Sequence, residues 1–83
     1  MSIYVELYNK SEVYKKKYPK GTRVQAIEIN DKNAPPKGTK GTVSFVDDIG
    51  TVFVDWDEDG YVSGVVVANN VDTIRIIKEK NND

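Results

Sequence analysis

Apolar and polar residues alternate in short runs along this chain, and turn residues separate the runs. Thr51 to Trp56 shows it best: Val52, Val54 and Trp56 share one face, and Thr51, Phe53 and Asp55 the other. That period of two predicts a half-buried strand. Gly41 to Asp47 predicts its hairpin partner, with Val43, Phe45 and Val46 as core candidates. The turn between them is Asp47-Asp48-Ile49-Gly50, where Gly50 supplies the positive backbone angle. The chain is organised around this hairpin, framed by Gly38 before it and by the acidic turn Asp57-Glu58-Asp59-Gly60 after it.

Three more strands follow from the same reasoning. Residues 22–29 alternate with a phase break, and a bulge in mid-strand reconciles Val24 with Ile27. Residues 61–67 form the fourth strand, with Gly64 as a point of bending. Residues 72–78 form the last, with Ile74 and Ile76 on one face. Between the first two strands, the loop 30–40 is stiffened by its proline pair. Strands recurring at this spacing predict a small closed barrel, which leaves no open edge.

The N-terminal segment is different. Residues 2–8 alternate, with Ile3, Val5 and Leu7 on one side, and predict an extra strand. Residues 9–18 predict a short helix, capped by Asn9 with Glu12 as reciprocal partner and ended by Pro19 and Gly21. Tyr14 and Tyr18, four apart, share a face of it. The division is therefore 1–21 as strand and helix packing on the barrel, 22–78 as the barrel, and 79–83 as a disordered tail.

At 83 residues the chain is the size of one domain. A domain of that size favours a surface groove over a deep cavity. It contains no cysteine and no histidine, which removes disulfides, thiol chemistry and the commonest metal ligands. The start of the sequence lacks a basic stretch followed by a long apolar run, and the longest aliphatic run is Val65 to Ala68. The expectation is a cytoplasmic protein without signal peptide or membrane span.

Net charge is −1 but uneven. Residues 1–21 carry five lysines against Glu6 and Glu12, whereas residues 22–77 carry five basic residues against nine carboxylates. An acidic body argues against phosphate-backbone binding as its main task.

The spacing resembles a known family. YPKGTRV, APPKGTKGTVSFVDDIGTVFVDWD and VDTIRII, between about Tyr18 and Ile77, resemble the bacterial and phage domain-of-unknown-function family numbered 4314. The same order of strands and turns is similar, more loosely, to the SH3-like domains of the mind bomb and HERC ubiquitin ligases. The resemblance implies an SH3-like five-stranded barrel, and a small accessory protein of a phage or mobile element. It implies no activity. One departure is Val65 to Asn70, where relatives more often carry a Pro-Gly turn.

Candidate chemistry is sparse. Asp55, Asp57, Asp59 and Gly60 fit four positions of a calcium loop, but Val66 stands where a bidentate glutamate is required. The flanks read as strands, so the segment is an acidic hairpin turn. Gly38-Thr39-Lys40-Gly41-Thr42 lacks the helix that a phosphate-cradling loop needs. The carboxylates lie on solvated turns, and no hydroxyl has an activating base. The chain is read as non-enzymatic and free of cofactors.

Two surfaces remain. Trp56 reads first as a core residue, and Phe45, Phe53 and Tyr61 are open to partial exposure; Trp56, Tyr61, Asp57 and Asp59 together form the alternative, a candidate patch for a basic peptide. Lys15, Lys16, Lys17 and Lys20, interleaved with Tyr14 and Tyr18, form a candidate nucleic-acid contact or a solvated helix face. The leading expectation is a protein-interaction or structural module of unknown partner. Weak nucleic-acid binding is the alternative, and the strand 2–8 is a candidate contact for a homodimer.

Overall fold

The computed structural model describes residues 11–78. The expected strand over 2–8, the homodimer contact assigned to it, the Asn9 cap and the tail lie outside these residues.

Residues 11–17 are helical (α1). Five strands follow: β1 (Arg23–Glu28), β2 (Lys40–Val46), β3 (Val52–Trp56), β4 (Gly64–Val65) and β5 (Thr73–Ile76). A 3-10 turn, Ala68–Asn70, joins the last two. All strand pairs are antiparallel, in the order β4-β3-β2-β1-β5.

The SH3-like barrel expected from the sequence is not formed. The sheet is open, with β4 and β5 as its two edges. The physical reason lies at the gap between those edges. β4 is only two residues long. Immediately after it, Asp72 takes the backbone groups that would extend its ladder: the Val66 N–H donates to Asp72 Oδ2 at 2.8 Å, and the Asp72 N–H donates to the Val66 carbonyl at 2.8 Å. The side chain and the backbone of Asp72 thus occupy the hydrogen-bonding positions that closure would give to a strand. The fourth strand is also shorter than the 61–67 expected. Val62 turns away to donate to the Asn33 carbonyl at 2.9 Å, tying it to the long loop.

The inner face of the sheet holds the core. It comprises Val24 and Ala26 of β1, Val43 and Val46 of β2, Val52, Val54 and Trp56 of β3, Val65 of β4 and Ile74 of β5. Tyr18, just beyond α1, joins them, 4% exposed. The core is largely valine, whose β-branched side chain suits a pleated surface and is stiff at χ1. Each fully buried valine stabilises the fold by about 1.5–2 kcal/mol, offset by chain entropy.

Two bulges set the phase of the sheet. The register of β1 against β5 shifts between Ala26 and Glu28, at Ile27, where the sequence predicted a break. The register of β2 against β3 shifts between Val43 and Phe45, so Ser44 is an extra residue. Its hydroxyl donates to the Phe53 carbonyl at 3.0 Å. After this bulge the parity of β2 reverses. Val46 remains buried, but Phe45 turns to the outer face and is 53% exposed. Phe45 is therefore not a core residue: of its two sequence readings, core and partly exposed, the second holds.

One glycine makes the close approach of β2 and β3 feasible. A Cβ on Gly41 would lie 2.6 Å from Val54 Cγ1, 2.8 Å from Trp56 Cε3 and 2.9 Å from the Asp55 carbonyl oxygen. At the other end of the hairpin Gly50 adopts φ 87°, as expected, and the Tyr14 ring lies against it. Asp47 shapes this turn: its Oδ1 accepts the N–H groups of Ile49 and Thr51. Ser11, itself buried, donates to the Asp47 carbonyl at 2.8 Å and anchors the start of α1 there. The helix then runs across to β5, where Tyr18 enters the core.

Candidate interaction surface

The four residues of the expected peptide patch play different parts. Trp56 is buried, and its indole N–H donates to the Val62 carbonyl at 2.9 Å. That bond satisfies the polar end of the ring inside the core. Tyr61 is half-buried and packs against the same core. Asp57 accepts two parallel hydrogen bonds from the Arg23 guanidinium, both 2.8 Å. These bonds hold its carboxyl below the usual carboxylate value. Asp59 is exposed in the turn. Trp56 and Tyr61 thus meet through the core, while Asp57 is turned to Arg23. Among the described residues no group of carboxylates converges to hold a metal ion.

The lysine run is split. Lys15 reaches Asp48 at 3.3 Å and Glu12 at 3.9 Å. Lys17 lies 5.4 Å from the centroid of the Tyr18 ring. Lys16 and Lys20 are exposed.

A different aromatic surface is present on the outer face. Phe45 and Phe53 oppose one another across β2 and β3. Their rings stack, with centroids 4.5 Å apart and planes 11° from parallel. Gly64 pairs with Phe53 from the next strand, and a Cβ there would lie 3.5 Å from the Phe53 ring and 3.4 Å from Thr51 Cγ2. Ile49 in the turn and Val66 after β4 add exposed apolar area.

This surface is set in acidic ground. From Gly41 to Gly60 the chain carries Asp47, Asp48, Asp55, Asp57, Glu58 and Asp59 and no lysine or arginine. Lys15 offsets Asp48, and Arg23 and Lys40, the first residue of β2, offset Asp57. Asp55 faces outward from β3 in the same direction as Phe53 and is exposed.

Sequence reasoning offered Phe45 both as a core candidate and as a partly exposed residue, and did not foresee its stack on Phe53. A signal was present: Phe45 and Val46 are adjacent, and a regular strand cannot bury both on one face.

The family match covers residues 9–77. The chain belongs to the family described as Domain of unknown function (DUF4314). No curated protein and no solved structure matches it. The DUF4314 match reaches back to residue 9 and so takes in α1, which the resemblance read from Tyr18 onward had left out. It also spans both the aromatic hairpin and the turn before β5. No helix among the described residues is long and apolar enough to cross a membrane.

Proposed function

We propose that this domain is a non-catalytic protein-interaction module, acting in the cytoplasm, whose outer sheet face receives a basic, partly apolar segment of its partner. The observation that carries this reading is the Phe45–Phe53 stack, with Phe45 53% exposed. A cross-strand aromatic pair contributes about 0.5–1 kcal/mol to a sheet. That contribution accounts for the stacking, but leaving half of Phe45 in water does not add to it. Covering the rings by a partner removes that apolar area from water, which favours association.

The chemistry of the partner follows from the surroundings. The acidic residues of the hairpin favour lysine and arginine beside the anchor that covers the rings, and they repel acidic segments. Asp59 is exposed beyond the far end of β3 and extends this rim. The cytoplasmic setting is supported by the absence of cysteine from the sequence, which fits a reducing compartment.

Selection of a random peptide library on the immobilised domain tests the reading. Peptides with Lys or Arg flanking an aliphatic or aromatic residue are expected to enrich on the wild type and not on Phe45→Ser. Equal enrichment on both proteins, or enrichment of acidic peptides, would overturn it.

A further inference from the structure

The outer face of the sheet carries opposite charge at its two ends. At the hairpin end Asp55 faces out from β3, is exposed, and forms no ion pair among the described residues. At the other end stands Arg75 of β5. It lies opposite Gln25 of β1 in the register, and its Nε donates to Gln25 Oε1 at 3.1 Å. Val24 and Ala26, on either side of Gln25, are buried, so Gln25 and Arg75 belong to the outer face. Arg75 is exposed and likewise forms no ion pair among the described residues.

The ground around Arg75 is cationic. Lys40 of β2 lies opposite Gln25 from the other side. Gly41, the next residue, points into the core, so Lys40 shares the outer face. Lys37 is exposed beside Gly38, whose carbonyl accepts a hydrogen bond from the Gln25 amide at 3.0 Å. The carboxylates within reach are Glu28, opposite Thr73, and Asp57, which Arg23 holds. Arg75, Lys40, Lys37 and Arg23 outnumber them.

We propose that the partner's segment is bipolar: its basic residues and apolar anchor lie over the hairpin, and a carboxylate at its other end pairs with Arg75. The inference rests on the reading of the outer face as the partner's site, and it gives the segment a direction across that face. A guanidinium recognises a carboxylate through two parallel hydrogen bonds. The Arg75 Nε is taken by Gln25, which restrains the guanidinium and leaves its Nη groups for an end-on pair. The same carboxylate placed over Asp55 meets like charge, so the two ends of the face admit the segment in one orientation. Spacing follows from sheet geometry. Phe45 and Arg75 lie about 13 Å apart along the strands and about 10 Å across them, roughly 16 Å in all. An extended chain spans that distance in about five residues.

Fluorescence polarisation with the full chain and labelled peptides tests this. The probes are Lys-Phe-Lys-Gly-Ser-Gly-Glu and the opposite order Glu-Gly-Ser-Gly-Lys-Phe-Lys, with blocked termini, each beside a form with Gln or Lys in place of Glu. In one chain direction the Glu form should bind the wild type about fivefold tighter than the Gln form. Arg75→Gln should erase that difference, and Arg75→Glu should invert it in favour of the Lys form. Moving the Glu next to the Lys-Phe-Lys anchor, within reach of Asp55, should weaken binding below that of the Gln form. Equal binding of the Glu and Gln forms, with both still lost on Phe45→Ser, would overturn the bipolar segment and leave the outer-face reading standing. A Glu preference that survives Arg75→Gln, or no binding by any of these peptides, overturns the inference as well. Binding that ignores Phe45→Ser overturns the outer-face reading and the bipolar segment together.

Discussion

On the inner face of the β2–β3 hairpin, Val43, Val46, Val52, Val54 and Trp56 are buried, with Val52 and Val54 at 0% and 1% exposure. On the outer face of the same two strands, Phe45 and Phe53 stack on each other and Phe45 stays half in water. Both faces carry apolar residues, yet only one lies against Tyr18, Val65 and Ile74. The difference teaches where to look for function. An apolar residue that the core absorbs reports on stability, whereas one that the sheet turns outward beside a row of carboxylates reports on a partner.

The comparison predicts that substitutions on the two faces separate stability from binding. The largest effect is expected at Gly41, where a Cβ would clash with Val54, Trp56 and a backbone carbonyl. Gly41→Ala should destabilise the domain by about 3 kcal/mol, read as a lower urea midpoint. A change below half that value would mean that the two strands can move apart, and that the inner face is less tightly defined than described.

Phe45→Ser is the contrasting case. It should cost no more than about 1 kcal/mol, the size of a cross-strand pair, while abolishing peptide enrichment. A loss of several kcal/mol would make Phe45 a structural residue and remove the distinction between the faces.

The smallest effect is expected at Asp57→Asn, which removes the ion pair with Arg23. Both partners are partly exposed, so the loss at neutral pH should be about 0.2–1 kcal/mol and should shrink with added salt. The folded-state carboxyl titrates below the unfolded one, so the unfolded chain binds the proton first as pH falls. The contribution is therefore present above about pH 4 and lost below it. Urea midpoints of wild type and variant should converge as pH falls from 5 to 3, and a gap that widened instead would contradict the assigned pairing.

Much of the fold is legible in residue order. The alternation of Val52, Val54 and Trp56 places β3 correctly, and the phase break between Val24 and Ile27 marks a bulge that is present. Gly50 adopts the positive φ that its turn requires. The adjacency of Phe45 and Val46 signalled a break in β2, but its position at Ser44 was not legible, because an extra residue is recognised only against its partner strand. The open edge was not legible either. Strand spacing gives the number of strands, but closure depends on whether the last strand reaches the free side of β4.

The candidate sites show the same division. Trp56 takes the core position that its alternation gives it, and Asp57 of the candidate peptide patch is held by Arg23. The lysine run was visible as composition, yet only contacts 33 residues apart direct Lys15 to Asp48, and only the packing of α1 across the sheet sets Lys17 beside Asn70 and Thr73.

By itself the sequence determined the local elements: the hairpin and its turns, the bulge in β1, the end of α1 at Pro19, the acidic hairpin and the membership of the family. These follow from backbone preference and from periodicity, which act between neighbours in the chain. Only the tertiary structure decided that the sheet stays open, that Phe45 faces outward and that Asp72 closes the turn before β5. Each of these depends on which distant backbone group reaches a hydrogen-bond partner first, and no local pattern records that competition.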